Sequence, residues 1–234
     1  LNNTASGNCA VGVEALEENT SGTENSAFGS YSLDANTTGI NNTGCGFAAL
    51  GANTTGSQNT AVGNRTLVNN TTAAYNTAIG QAALYTNTTG AQNTGVGTFA
   101  GYFNTTGTDL TAIGYDALKN NTTGVRNTAL GRDALRSNTT ANDNVGIGSN
   151  AGYNITTGGG NTMIGRQAGN NITTQTNNTG VGIAALLHCQ NINNTALGAY
   201  AGYAVTSATE ITAVGTNALD AVTTGSYCTG VGVS

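Results

Sequence analysis

The chain has 234 residues, of which only 7% are charged, and its net charge of −5 is spread thinly along its length. With no basic block, neither a nucleic-acid partner nor an anionic membrane surface is expected. No apolar run approaches the roughly 18 residues of a membrane span, and no signal peptide is evident, so membrane insertion is not expected either.

A seventeen-residue unit repeats along the chain. From Asn76 it reads Asn-Thr-Ala-Ile-Gly, two free residues, Ala-Leu, two free residues, Asn-Thr-Thr-Gly and two free residues. We number these positions 1 to 17. With one sixteen-residue step, the units begin at Asn8, Asn25, Asn42, Asn59, Asn76, Asn93, Leu110, Asn127, Asn144, Asn161, Asn178, Asn194, Ile211 and Cys228.

Such a short unit cannot bury an apolar face alone, so successive units must stack into a solenoid. The β-branched residues at positions 2 to 4 and the turn residues every eight or nine positions indicate short strands. The sequence therefore predicts an all-β parallel β-solenoid or β-roll of about fourteen coils, forming one domain over residues 1–234. An extended repeat of this kind is not expected to be an enzyme. Because the chain begins and ends within a unit, we expect it to be a segment of a longer protein.

Glycine occupies position 5 in every unit. A slot that never accepts a Cβ implies positive φ or a close backbone approach at a corner. We therefore predict a structural role for Gly12, Gly29, Gly46, Gly63, Gly80, Gly97, Gly114, Gly131, Gly148, Gly165, Gly182, Gly198, Gly215 and Gly232.

Positions 4 and 9 carry the apolar pattern. Position 4 is always apolar, for example Val62, Ile79 and Val96, and is predicted to be the core ladder. Position 9 is leucine in nine units and glycine in four, and in three of those four a tyrosine follows directly. We predict that the tyrosine ring replaces the missing leucine.

All charged side chains and His188 fall at positions 6, 7, 10, 11 or 17, which predicts that these slots are solvent-facing corners. Adjacent strand residues point to opposite sides, yet both faces of the strand at positions 1 to 5 avoid charge. One face can line the core while a second copy covers the other, which favours a homo-oligomer of parallel coils around an axis. The alternative is that threonine and small residues tolerate water on that face.

Asparagine recurs at positions 1 and 12, where some units have leucine, isoleucine, valine or cysteine instead. A slot that accepts either type faces inward, so we predict two internal asparagine ladders that bond the turn backbone and the next coil. Glycosylation sequons built on position 12 would then be blocked by the fold. The candidate acceptors at corner positions are Asn41, Asn64, Asn69, Asn120, Asn154, Asn171, Asn177 and Asn193.

The unit Asn-Thr-Ala-Val/Ile-Gly-x-x-Ala-Leu-x-x-Asn-Thr-Thr-Gly resembles repeats of tail-fibre-type proteins from phages, large viruses and some bacteria. Its Ala-Ile-Gly core is similar to the head repeat of trimeric autotransporter adhesins, although the present unit is longer. The resemblance covers essentially the whole chain. It implies a commonly trimeric β-roll that serves as a fibre shaft or adhesive head, located outside the cell, on the cell surface or on a virion, with a cell-surface or glycan receptor as a further partner.

The cysteines and the histidine do not suggest a disulfide, a metal site or a catalytic site. Each of the four cysteines lies in a separate coil, and no two of these coils are adjacent, so disulfides within the chain are not expected. We predict instead that Cys9, Cys45, Cys189 and Cys228 are small side chains that fill the core. No pair has metal-ligand spacing, and no cofactor is predicted. The single histidine, His188, precedes Cys189, but neighbouring strand residues diverge, which argues against a nucleophile pair.

Two other functions, ice binding and an end-to-end filament, compete with a fibre. Adjacent threonines at positions 13 and 14 form a regular array, as an ice-binding surface requires, but their spacing is typical of turns whose hydroxyls bond the backbone. Open β ends would allow chains to stack into a filament. The candidate residues for binding a ligand are the aromatic residues at corner positions, namely Tyr31, Phe47, Phe99, Tyr115 and Tyr200.

Overall fold

The computed structural model describes residues 5–233, so the first four residues and the last residue of the predicted domain lie outside the described part. The fold is an all-β parallel β-solenoid, which confirms the predicted fold class. Each coil contributes one three-residue strand at positions 2 to 4. The strands are β1 (Cys9–Val11), β2 (Ser26–Phe28), β3 (Thr43–Cys45), β4 (Thr60–Val62), β5 (Thr77–Ile79), β6 (Thr94–Val96), β7 (Thr111–Ile113), β8 (Thr128–Leu130), β9 (Val145–Ile147), β10 (Thr162–Ile164), β11 (Thr179–Val181), β12 (Thr195–Leu197), β13 (Thr212–Val214) and β14 (Thr229–Val231).

The chain forms two compact units. The first runs to Asp116 and includes Asn121–Thr123, and the second contains Ala117–Asn120 and the chain from Gly124 onwards. Strands β1 to β7 lie side by side in chain order in the first unit, as do β8 to β14 in the second. Equivalent residues are paired in parallel, so that each position forms a row along its unit.

The corners of the coil depend on left-handed backbone conformations. Besides position 5, the residues at positions 7, 9 and 17 have positive φ, and those that are not glycine, which are the majority, have φ between +47° and +63°. Each such residue costs about 1–2 kcal/mol. Backbone hydrogen bonds to adjacent coils offset this cost, as where Leu67 N–H donates to Ala83 O at 3.0 Å and Arg65 N–H to Phe47 O at 2.8 Å. A coil is therefore stable only when it is stacked.

The core consists of positions 3, 8 and 9, where Ala78, Ala83 and Leu84 have no exposed surface. The predicted core ladder at position 4 is wrong, because this row faces outward: Ile79 is 42% exposed and Val62 is 38% exposed. The inward strand position is position 3, which is almost always alanine or glycine because the leucines of position 9 fill the space beside it.

Tyrosine does not replace the missing leucine at position 9. A Cβ added to Gly152 would lie 2.7 Å from Leu135 Cδ2 and 2.9 Å from Ile155 Cδ1, so these side chains already occupy the space. In another coil of this type, Tyr102 stacks on Tyr85 with ring centroids 4.9 Å apart, and both rings are partly exposed. An apolar residue at position 12 also accompanies glycine at position 9 in two other coils, at Gly169 with Ile172 and at Gly202 with Val205.

Candidate functional site

The outward side chains of positions 2 and 4 form a surface that we call the outer strand face. It carries no charged residue in any coil. No position-4 side chain within β1 to β14 is buried, and most position-2 side chains are threonines that are half-buried or exposed. Each unit thus presents seven successive rungs of one threonine or similar residue and one apolar residue.

The position-5 glycines form a row next to this face, and all fourteen have φ between +123° and +139°. A Cβ on Gly97 would lie 2.7 Å from the carbonyl oxygen of Gly114 in the next coil. Both the φ angle and the close backbone approach exclude a side chain here. The row therefore lets adjacent coils come into contact through their backbones.

The asparagine ladders predicted from the sequence are present. The backbone N–H and Nδ2 of Asn76 donate to Asn59 Oδ1 at 3.0 and 3.2 Å, and Nδ2 also donates to Gly90 O at 3.0 Å. Asn76 Oδ1 in turn accepts the backbone N–H of Asn93 at 2.9 Å. Asn87, at position 12, donates to the same Gly90 oxygen at 2.9 Å. The two ladders thus meet at the carbonyl of position 15.

The candidate glycosylation acceptors fall into two groups. Asn41, Asn64, Asn177 and Asn193 are exposed, whereas Asn69, Asn120, Asn154 and Asn171 are half-buried. Within the half-buried group, Asn69 Nδ2 donates to Tyr85 O at 3.0 Å, and Asn171 Nδ2 lies 2.9 Å from His188 Nδ1. Position-12 asparagines such as Asn87 are fully buried. Access for a modifying enzyme is therefore greatest in the exposed group.

The threonines of positions 13 and 14 differ in their surroundings. At position 13, Thr71 Oγ1 donates to Thr88 O at 3.2 Å, and Thr88 Oγ1 donates to Thr105 O at 3.1 Å. These hydroxyls therefore bond backbone as predicted, but the acceptor belongs to the next coil rather than to the same turn. At position 14, Thr89 and its equivalents are mostly exposed.

Only one of the four cysteines fills the core as predicted. Cys189 is buried, and burial raises the pKa of its thiol. Cys9 and Cys45 are exposed on the outer strand face, so the core-filling prediction is wrong for these two, whereas Cys228, at position 1 of the last coil, is half-buried. His188 packs edge-on against Tyr203, whereas the Cys189 thiol donates to Asn191 O at 3.3 Å. The two neighbouring side chains thus have different partners.

Charged residues at the corner positions form ion pairs, and one of them is buried although it was predicted to face solvent. Asp133 Oδ1 lies 3.4 Å from Arg136 Nε, and Arg126 Nε lies 2.7 Å from Asp143 Oδ1. The hydrogen bond from Arg126 lowers the pKa of Asp143. Asp116, predicted to be solvent-facing, is only 3% exposed. Position 7 therefore turns partly inward.

Aromatic rings gather at one corner of the first unit. Phe99 lies 5.5 Å from Tyr102 and 6.3 Å from Tyr115 between ring centroids, in edge-on contacts. Tyr102 also meets Phe103 at 4.7 Å. Two of the aromatic residues predicted as ligand candidates, Phe99 and Tyr115, belong to this cluster, while Tyr31 and Phe47 form a separate pair at 5.7 Å. The rings mainly pack against one another.

Across residues 5–233, no group of three histidine, cysteine, aspartate or glutamate side chains is arranged to hold a metal ion. The same range contains no helix with the length and apolar character needed to cross a membrane. No protein-family model, curated protein or solved structure matches the chain.

Proposed function

We propose that the chain is an elongated structural module of a fibre or adhesin-type surface protein, serving attachment or spacing outside the cell, on a cell surface or on a virion. In this proposal, parallel copies associate side by side through the outer strand face. The observation that supports it is the outward apolar ladder of position 4, which continues through every described coil without a charge. Large uncharged apolar surfaces of soluble proteins mark interaction sites.

The energy of such an association accumulates coil by coil. Ile79 is 42% exposed, and burying that fraction of an aliphatic side chain contributes about 1 kcal/mol. Association itself costs about 4–15 kcal/mol in lost translational and rotational freedom. One coil is therefore insufficient, whereas the seven rungs of one unit contribute an amount comparable to the cost. Contacts this weak can hold two copies together only where many of them repeat, as they do along a repetitive shaft.

A second copy of the chain is the partner that best fits this face. Coils stack at about 4.8 Å, so a partner has to present apolar groups at the same interval over many coils. An identical solenoid meets this requirement by construction, and closed symmetry is the usual arrangement of homo-oligomers.

Charges placed on the outer strand face should separate the copies. We expect native mass spectrometry to show a defined oligomer, with a trimer as the form implied by the resemblance, for the unmodified chain. The double variant Val62→Asp/Ile79→Asp should be a monomer with an unchanged circular dichroism spectrum, because both side chains point away from the core. The control Gln81→Asp adds charge at an exposed corner and should keep the oligomer.

A monomeric unmodified chain at tens of micromolar, or a double variant that keeps the oligomeric mass, would contradict side-by-side association. A polydisperse series of masses that persists in the double variant would instead indicate end-to-end filaments, because β1 and β14 each have only one neighbouring strand in the described chain.

The cysteines provide a second test within one molecule. Cys45 lies on the outer strand face and Cys189 is buried with a raised thiol pKa. We expect the rate of Cys45 modification by a thiol reagent to fall as protein concentration increases, because association covers it. Cys189 should stay unmodified at every concentration until the chain unfolds, since the thiolate is the reactive species. A Cys45 rate that does not depend on concentration would contradict the proposal.

Ice binding is a second candidate for the same face. Positions 2 and 4 both point outward with one inward residue between them, an alternation that the adjacent threonines of positions 13 and 14 lack. A monomeric chain that lowers the freezing point below the melting point, and loses this effect in Val62→Asp/Ile79→Asp, would favour ice binding over lateral association.

A further inference from the structure

Position 14 forms a row of exposed hydroxyl groups along one edge of the first unit, which we call the hydroxyl row. Its members, one from each of seven successive coils, are Ser21, Thr38, Thr55, Thr72, Thr89, Thr106 and Thr123, and all of them are exposed. Within residues 5–233, none of these side-chain hydroxyls hydrogen-bonds another protein group. The backbone bonding that we expected for both adjacent threonines therefore applies to position 13 alone, and the position-14 hydroxyls face water.

The backbone beneath the hydroxyl row is held by the next coil. The N–H groups of Thr37 and Thr38 both donate to the carbonyl oxygen of Thr54, at 2.9 and 3.2 Å. The Thr37 hydroxyl donates to the same oxygen at 3.1 Å. At position 15, the following Gly39 is buried. A threonine at position 14 is thus fixed to a rigid frame, so that it loses little conformational entropy when it orders a partner.

The surroundings of the hydroxyl row are uncharged. Positions 12 to 16 have no charged residue in any coil. On one side of the row lie the threonines of position 13, which are mostly half-buried, and on the other side lie the residues of position 16, many of them small, such as Ala74 and Ala91. A charged side chain would bind its own shell of water, and a long one would cover the row. The hydroxyls are therefore open to an extended, uncharged partner.

The spacing of the hydroxyl row is close to that of ordered water. Adjacent coils lie about 4.8 Å apart, so equivalent hydroxyls repeat at this interval. In a tetrahedral water lattice with O–H···O distances of about 2.75 Å, two oxygens bonded to the same neighbour lie about 4.5 Å apart. The misfit of about 0.3 Å per coil reaches about 1 Å over four rungs, which rotation of the hydroxyls can absorb. Short groups of rungs can therefore occupy successive lattice sites.

We propose that the hydroxyl row binds the surface of ice. Each threonine hydroxyl both donates and accepts a hydrogen bond, as a lattice water does. The individual contacts are weak, but they act together because one rigid body carries them. The site uses none of the residues of the outer strand face and does not rest on lateral association. It would give an attachment module a frozen surface as its solid partner.

The test is the partition of the full chain, produced in a host without N-glycosylation, into a slowly growing hemisphere of ice. The unmodified chain should be enriched in the ice relative to serum albumin in the same solution. The row variant Thr72→Lys/Thr89→Lys should lose this enrichment, because two long charged side chains then stand in the middle of the row. Both positions are exposed, so the circular dichroism spectrum and the urea unfolding curve should not change.

Two control variants separate the hydroxyl row from other surfaces. Gln81→Lys/Gln92→Lys adds the same charge at exposed corner positions 6 and 17 of one coil and should stay enriched in ice. Val62→Asp/Ile79→Asp changes only the outer strand face, so its enrichment should persist whether or not the copies associate. The row variant should keep the oligomeric mass of the unmodified chain. Exclusion of the unmodified chain from ice, or enrichment of the correctly folded row variant, would overturn the site.

Discussion

Replacing Gly97 by valine is expected to lower the free energy of unfolding by more than about 3 kcal/mol. Gly97 has φ +126°, and a Cβ there would lie 2.7 Å from the oxygen and 2.8 Å from the carbonyl carbon of Gly114. The clash is with backbone, which cannot move without disturbing the hydrogen bond from Gly114 N–H to Val96 O at 2.8 Å. Urea denaturation followed by circular dichroism measures the loss.

Gln92→Lys is the matched control in the preceding coil. Gln92 is exposed at position 17, where charged residues occur in other coils. The substitution should therefore change the free energy of unfolding by no more than about 0.5 kcal/mol. Hydrogen exchange adds spatial detail, since Gly97→Val should remove amide protection in its own coil first. Equal tolerance of both substitutions would contradict the assignment of positions.

The isosteric change Asn76→Asp is expected to lower the free energy of unfolding at pH 7 by an amount similar to that for Gly97→Val. It removes both Nδ2 donations, to Asn59 Oδ1 at 3.2 Å and to Gly90 O at 3.0 Å, and points a carboxylate oxygen at those acceptors. Asn76 has no exposed surface, so the new charge has neither water nor a cation to stabilise it. Breaking such a buried network costs about 3–5 kcal/mol.

The effect of Asn76→Asp should depend on pH with a defined sign. Burial raises the pKa of the introduced carboxyl above its unfolded value of about 3.9, so the native state binds the extra proton more tightly. Destabilisation is therefore smallest below that unfolded value and grows as pH rises through the folded pKa. Unfolding curves at pH 3 and pH 7, each compared with the unmodified chain, measure it.

Two controls separate charge from packing in this experiment. Asn76→Leu should be destabilising without this pH dependence, and Leu110 shows that leucine fits the same slot of another coil. Gln92→Asp, on the exposed corner, should add charge at little cost. If Asn76→Asp were no more harmful at pH 7 than Asn76→Leu, buried hydrogen bonding would not be what the ladder contributes.

Sequence reasoning missed a groove of about 450 Å³ beside Gly159 and Gly160 in the second unit, although a signal was present. Gly158-Gly159-Gly160 occupies positions 15 to 17, all of which have side chains in both neighbouring coils. Glycines in a repeat rich in glycine do not stand out unless they are compared position by position. The buried Asp116 had no comparable signal, because other residues at position 7 range from buried to exposed.

The sequence by itself determined the period, the parallel β-solenoid and the inward asparagine ladders, because a stacked repeat places like residues in rows and only inward slots exchange asparagine for isoleucine. Only the tertiary structure decided which side of the strand faces the core. Both sides lack charge, so hydrophobicity favoured position 4, yet position 3 faces inward. A Cβ on Gly95 would already lie 3.0 Å from Leu84 Cγ, so the space beside the leucine row admits small residues far more readily than valine or isoleucine, and the larger side chains face outward.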